Sequence, residues 1–165
     1  MSYNNIEIVS YKAKYKPKYK TLNYEWLAKY YTIEPFDEQI LSHPEREVLK
    51  KGGHIFFALR DYEIIGTCTL IKINKSEYEL TKMCVTEKAQ GKGVGKRLLH
   101  TAINKARHLG ANKIYASTGK RLSVALHLYR KIGFREIDTE TSPTKRYTRT
   151  EISLVLEINS KTETH

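Results

Sequence analysis

Gln90-Gly91-Lys92-Gly93-Val94-Gly95-Lys96-Arg97 is the stretch on which the reading of this chain turns. Before it, residues 80–85 are short and largely apolar, the pattern of a strand. After it the period becomes helical, with Leu98, Leu99, Ala102, Ile103, Ala106 and Leu109 on one face and Gly110 as the C-cap. A glycine loop that feeds a helix start is an anion site. The first backbone N–H groups have no intrahelical partner, and the helix dipole favours negative charge at that end. Lys92, Lys96 and Arg97 oppose the dipole there at a cost of about 0.3–1 kcal/mol each. A polyanionic ligand removes that conflict. Gly91, Gly93 and Gly95 also cost backbone entropy with no evident folding reason.

Two common phosphate loops do not fit. In the Walker A pattern Lys96 would be followed by Ser or Thr rather than Arg97, and Gln90 stands where its first glycine belongs. In the dinucleotide fingerprint Gly91 and Gly93 fit, but Lys96 occupies the third glycine position. The pattern that does fit is Gln/Arg-x-x-Gly-x-Gly/Ala, through Gln90, Gly93 and Gly95.

A chain of 165 residues suits one domain, expected over residues 1–159 with 160–165 as a frayed tail. The net charge of +11 suits anionic partners. Residues 1–10 lack the apolar run of a signal peptide, and no apolar stretch approaches a membrane span. Cys68, Cys84 and the six histidines show no metal or redox spacing. The expectation is a reduced, cytoplasmic protein with no metal and no membrane partner.

Along the chain, residues 6–10 read as a first strand. Residues 11–20 interleave lysine with tyrosine, a pattern that binds single-stranded nucleic acid through phosphate contact and stacking. Helical spacing favours a plainer reading. Pro17 suits a first turn, Tyr19, Leu22, Trp26 and Tyr30 share a face, and the lysines fill the solvated side. Residues 30–37 read as a break, and Ser42 as the N-cap of a second helix ending near Lys51. Residues 54–59 and 63–73 form strands about a turn at Asp61-Tyr62, followed by a strand at 77–85. Beyond the glycine loop and its helix come a parallel strand (113–117), a short helix (124–132) with Ala125, Leu128, Tyr129 and Ile132, and strands at 134–137 and 152–158. Residues 138–151 form a long polar connection. The order is β-α-α-β-β-β-α-β-α-β-β, an α/β (α+β) fold with a mixed sheet of about seven strands and four helices.

The glycine loop resembles the pyrophosphate loop of the GNAT family, the acetyl-CoA-dependent N-acetyltransferases. The element order is similar to that family's over nearly the whole chain. Leu128-Tyr129-x-x-x-Gly133-Phe134 resembles its second signature, a tyrosine-bearing helix ending in Gly-Phe. One position departs: Leu122 stands where members often carry Asn, and Ser123 is the nearest polar substitute toward the pantetheine arm. The resemblance implies the GNAT fold and transfer of an acetyl group from acetyl-CoA to a primary amine by direct attack in a ternary complex. It implies that Gln90, Gly91, Lys92, Gly93, Val94, Gly95 and Lys96 hold the pyrophosphate. It further implies that Met83, Cys84 and Val85 offer backbone groups to the pantetheine arm, with a bulge or splay after them leaving N–H groups for the thioester carbonyl.

By the same resemblance Tyr129 is the general acid; a phenol with a reference pKa of about 10 keeps its proton at neutral pH. The alternative is a core aromatic. Glu79, six residues before Val85, matches the base glutamate of histone-type members, with Glu77 at the same parity and a surface carboxylate as the alternative. Cys84 reads as a small buried hydrophobe rather than a nucleophile, and His127 as a surface residue. Trp26, Tyr30, Tyr31 and Glu34, with Asp37, cluster where the first two helices meet; aromatics with acids suit a cationic acceptor, and a helix–helix corner is the alternative. Three functions are carried forward: the acetyltransferase, a catalytically silent GNAT-fold acyl-CoA-binding module, and a basic nucleic-acid-binding domain, the last disfavoured. Small amines, amino acids, antibiotics, peptides and protein lysines fit the sequence alike as acceptors, and a homodimer is left open.

Overall fold

The computed structural model describes residues 5–119, 122–144, 147–148 and 150–158. The expected tail at 160–165 lies outside them. The described strands are β1 (Ile6–Ser10), β2 (His54–Arg60), β3 (Glu63–Asn74), β4 (Glu77–Val85), β5 (Lys113–Thr118), β6 (Arg135–Ile137) and β7 (Ile152–Glu157). They form one sheet in the order β1-β2-β3-β4-β5-β7-β6. Its described α-helices are α1 (Lys16–Tyr30), α2 (Pro35–Ser42), α3 (Val94–His108) and α4 (Ser123–Ile132). The order matches the one read from sequence. The β4–β5 pair is parallel and the other described pairs are antiparallel, as the crossover through α3 requires.

The helices cover both faces. On one, Leu98, Leu99, Ala102 and Ile103 of α3 and Tyr129 of α4 pack against Ala58, Leu70, Leu80 and Ile114. On the other, Tyr19, Leu22 and Leu27 of α1 and Ile40 and Leu41 of α2 pack against Ile55, Phe57 and Ile71. The lysine–tyrosine run thus serves the fold. Tyr19 lies edge-on to Phe57 at 5.9 Å, and its hydroxyl shares a 2.6 Å hydrogen bond with Thr69, while Lys12 and Lys14 stay exposed. Asp61 and Tyr62 turn the first hairpin with φ of +50° and +69°, the left-handed pair of a two-residue hairpin loop. Helix α3 ends in a Schellman closure. Gly110 takes φ +90°, Ala111 N donates to Ala106 O at 3.0 Å, and Gly110 N donates to Arg107 O at 3.1 Å. Leu109 is therefore the C-cap, 39% exposed, and does not continue the buried face as its spacing suggests.

The second helix departs from expectation. It begins at Pro35, not after Ser42, and Glu45–Leu49 is a single π-helical turn. A capping box starts α2: Glu34 N donates to Asp37 Oδ2 at 2.8 Å, and the Glu34 carboxylate accepts from the Asp37 N–H. Glu is not among the favoured N-caps, whereas Ser42-His43-Pro44 imitates a helix start. Asp37, fully buried, pairs with Lys82 of β4, whose side chain is 4% exposed. Lys82 Nζ also donates to the Tyr147 hydroxyl at 2.8 Å.

A buried pair is costly to halve, because the survivor is left as an uncompensated charge. Asp37→Ala should lower stability by about 3–5 kcal/mol in denaturant melts, and adding Lys82→Met should restore much of the loss. Equal stability of the single and double variants would show that Lys82 is not left as an uncompensated charge when Asp37 is lost.

Candidate active site

The central strands part. β4 pairs with β5 only from Glu77↔Lys113 to Leu80↔Ala116. Beyond that point β4 continues to Val85 against β3, and β5 to Thr118 against β7. The cause is a β-bulge. Thr69 pairs with Thr81 and Thr67 with Cys84, so Lys82 and Met83 face Cys68 alone, and Lys82 takes φ +51°. An extra residue bends and twists its strand, which carries β4 away from its parallel neighbour. The bulge lies at Lys82 and Met83, ahead of Cys84 and Val85 rather than after all three, which corrects the sequence expectation. Those three residues lie beyond the parting, on a stretch whose β5 side has no strand partner among the described residues.

A cavity of about 100 Å³ occupies the parting, with Asn23, Trp26, Lys82, Met83, Tyr129 and Tyr147 on its wall. Tyr129 is 5% exposed, its ring 5.2 Å from that of Phe134. Burial, with a smaller contribution from Cys68, pushes its phenol above the usual range, so the hydroxyl holds its proton at neutral pH. His127 is exposed. Glu79 is fully buried at mid-strand between Ile71 of β3 and Tyr115 of β5, so it is not a surface carboxylate; nor is it on the wall of this cavity. Glu77 accepts from the Tyr115 hydroxyl at 3.0 Å and from Asn74 Nδ2 at 2.8 Å.

The glycine loop closes one end of the parting. Gly91 and Gly93 take φ +76° and +83°, where a side chain is strained, and a Cβ on either would meet nothing within 4 Å. A Cβ on Gly95 would meet only Val85 Cγ2, at 3.9 Å. The loop therefore forms an exposed cradle at the N-terminus of a 15-residue helix, with Gly93 as N-cap. Gln90 Nε2 donates to Val85 O at 3.1 Å and ties the loop to the strand end. Lys92, Lys96 and Arg97 are exposed around it. Ser123 begins α4 exposed, and Leu122 before it reaches the cavity wall.

On the far side of β4 a second cavity of about 310 Å³ is lined by Glu25, Trp26, Lys29, Tyr30, Cys84 and Val85 among others. Trp26 borders both cavities, with Tyr30 at 5.5 Å on the second and Tyr31 at 6.2 Å on the first. The two acids read from sequence as charge for a cationic acceptor are engaged elsewhere. Glu34 caps α2 and accepts from Thr148 N at 3.1 Å, and Asp37 holds Lys82. Sequence reasoning missed three residues. Asn23 is buried, bonds Tyr19 O at 2.9 Å and accepts weakly from the Cys84 thiol at 3.6 Å. Its signal was an amide on the apolar face of α1. Lys82 was signalled by a cation within a central strand. Tyr147, inside the polar connection, carried no signal.

Comparison with known proteins gives one family. The model of the acetyltransferase (GNAT) family matches residues 19–134. The uncharacterized N-acetyltransferase YvbK of Bacillus subtilis is 34% identical over 105 residues, 62% of this chain and 68% of the relative. A GNAT-family acetyltransferase of Staphylococcus aureus superposes with a TM-score of 0.86 at 24% identity, over 93% of this chain and 99% of that one. A GNAT-family acetyltransferase of Elizabethkingia anophelis, solved with acetyl-CoA bound, superposes with a TM-score of 0.63 at 26% identity, over 94% and 99%.

Cys68 and Cys84 are both buried free thiols. Burial pushes Cys68 up to about 12; it raises Cys84 further, with Cys68 adding to it and Lys82 acting against it. The thiolate is the reactive form. A chromogenic disulfide reagent should therefore leave both unmodified in the native protein and titrate both after unfolding. Rapid native labelling of Cys84 would instead mark it as a nucleophile.

Proposed function

Because the chain belongs to the GNAT acetyltransferase family, we propose that it moves the acetyl group of acetyl-CoA onto a primary amine by direct attack in a ternary complex. The observation that carries this reading is the parting of β4 from β5, which runs from the cradle before α3 to Tyr129.

The residues fit the ligand. Acetyl-CoA supplies an activated acetyl group as a thioester. The cradle from Gly91 to Lys96 would offer its N–H groups to a pyrophosphate, and the left-handed glycines leave the space that side chains would fill. Lys92, Lys96 and Arg97 add charge. The edge of β4 at Met83, Cys84 and Val85 presents backbone donors and acceptors to an extended amide chain, as a sheet edge receives an added strand. An N–H that the bulge frees from the ladder would polarise the thioester carbonyl. Ser123 stands at the start of α4 to meet the same arm. Tyr129 donates its proton to the departing thiolate. Glu79 is the base of this proposal, and its enclosure favours a water relay over direct contact. Trp26, Tyr30 and Tyr31 wall the acceptor, with Glu34 shaping the wall through its cap on α2.

Acetyl-CoA at a hundredfold excess over its dissociation constant should stabilise the protein by about 2.7 kcal/mol, or roughly 5–10 °C in Tm for a chain of this size. A screen of amines for released thiol then tests transfer. A Tm indifferent to millimolar acetyl-CoA overturns the reading, and binding without turnover of any amine reduces it to a silent acyl-CoA module.

Tyr129→Phe keeps the ring against Phe134 and removes only the hydroxyl. Turnover should fall by about 10²–10⁴, the usual contribution of a positioned acid, with kcat and kcat/KM for the amine falling together. The affinity for acetyl-CoA should hold. Wild-type kcat at saturating acetyl-CoA would return Tyr129 to the core.

A further inference from the structure

We propose that the outer face of α3 is a docking surface for duplex nucleic acid, held through its phosphates without regard to base sequence. The inference goes beyond acetyl transfer and does not depend on it. The first argument is where the charge lies. Of the chain's 29 lysines and arginines, residues 88–135 contain twelve, and they contain none of its 18 acids. The other 17 cations are matched by those 18 acids, so the net charge of +11 belongs to this one stretch.

The second argument is that the fold preserves the segregation. α3 and α4 pack on one face of the sheet, and α1 and α2 on the other. Ile6 and Ile8, Tyr78 and Leu80, and Leu154 and Leu156 point to the α3 face. Glu7, Glu77, Glu79 and Glu157 alternate with them along their strands and point to the other. Arg130 and Arg135 are offset by Glu136 at 3.2 Å and Glu157 at 2.8 Å. On α3 no such offset exists. The helix contains no acid, and Lys96, Arg97, His100, Asn104, Lys105 and His108 are exposed along it. Lys96, Arg97 and Lys105 have no acid at ion-pair distance among the described residues.

The third argument is reach. Lys96 and Arg97 stand at the cradle, where the pyrophosphate of acetyl-CoA would lie. Lys105 is eight residues beyond Arg97, about 12 Å along the helix axis. That exceeds the screening length of about 8 Å at physiological ionic strength, so Lys105 adds little to a ligand in the cradle. The helix dipole accounts for cations in the last turn, but not for a face without acids from end to end.

The character of the face selects the occupant. Among the described residues from 88 to 135 every tyrosine and phenylalanine is buried, and the stretch contains no tryptophan or methionine. The face therefore lacks the aromatic anchors of a protein interface and the stacking platform that single strands require. Lysine, prominent here, is depleted at protein interfaces. Ammonium and guanidinium groups spread along a helix of about 22 Å instead suit a phosphate polyanion, which in a duplex carries a charge every ~1.7 Å of axis. The lysine–tyrosine run before α1, where the sequence pattern suggested nucleic acid, lies on the opposite side.

Fluorescence anisotropy of a labelled duplex of about 20 base pairs, titrated at several salt concentrations, tests the proposal. The expected Kd at physiological salt is about 10⁻⁶–10⁻⁴ M, with log K falling against log salt at a slope of about −3 or steeper, and two unrelated sequences binding alike. Lys105→Glu and Lys12→Glu change the net charge equally, on exposed residues of opposite faces. Lys105→Glu should weaken binding about tenfold and flatten the slope by about one, and Lys12→Glu should change neither. Lys105→Gln, which adds no acid to the helix, should act in the same direction by less, and melting curves check that each variant is folded. Binding should persist at saturating acetyl-CoA, because the Lys105 end of α3 stays open. Absence of binding even at low salt, or equal weakening by Lys105→Glu and Lys12→Glu, overturns the inference. So does complete loss of binding when acetyl-CoA is added, which would place the duplex in the cradle. Poly-glutamate bound more tightly than the duplex at the same salt also overturns it, and assigns the face to an acidic protein.

Discussion

One extra residue in the middle strand shapes this molecule. A sheet survives by pairing every backbone donor and acceptor, and the bulge at Lys82 and Met83 breaks that rule at its centre. The cost is tolerable because each parted strand keeps its other neighbour, β3 beside β4 and β7 beside β5. The seam that results has rigid walls, and a ligand with an extended amide backbone can satisfy the groups that the parting leaves. The same bulge fixes what stands at the seam's two ends: the strand tip that Gln90 holds against the glycine loop, and the lysine that reaches α2.

The start of α2 and the late connection are coupled to the bulge through buried polar contacts. Lys82 holds Asp37, and Asp37 completes the cap on α2 by accepting from Glu34 N at 2.8 Å. Glu34 in turn accepts from Thr148 N at 3.1 Å, and Phe36 packs on Tyr147 at 5.5 Å. Three segments far apart in sequence, residues 34–37, 82 and 147–148, therefore set one another's positions. A charge pair so enclosed contributes little net stability relative to apolar residues of equal volume. What it supplies here is register: it sets the late connection against the mouth of the cavity, with a cation on the wall.

Much of this was legible before the structure. The strands and α3 showed their periods plainly, because each has one face pressed on a core. The glycine loop was legible because left-handed positions and an exposed cradle demand glycine at 91 and 93 whatever surrounds them. The start of α2 was not, since its cap depends on two acids that bond each other, a pairing hidden in a sequence that also offers Ser42 before a proline. The engagement of Glu34 and Asp37 was hidden for the same reason. Glu34 and Asp37 look like a pair of surface acids in sequence, and only the fold shows Lys82 arriving from forty-five positions away to occupy one of them. Pairings at that distance leave no periodic mark.

The two ends of the seam share a sign, and the middle does not. Lys92, Lys96 and Arg97 stand at the glycine loop, and Lys82, paired with Asp37, at the other end, whereas Tyr129, Asn23 and Met83 between them carry no charge at neutral pH. That division suits the chemistry. An amine attacks only when neutral, and a thioester carbonyl is polarised best by fixed dipoles in a dry setting. Charge at the centre would hold the amine as its ammonium if negative, or compete with the carbonyl's donors if positive. On the proposed reading, cations at the glycine loop bind the anionic end of acetyl-CoA, where the contact is the same before and during reaction. On the proposed reading, the uncharged centre leaves the reacting atoms to the phenol and the bulged backbone, with Glu79 acting from behind the wall through water. On the proposed reading, binding falls to the loop before α3 and chemistry to α4 and the bulged strand, and the parting of β4 from β5 lies between them.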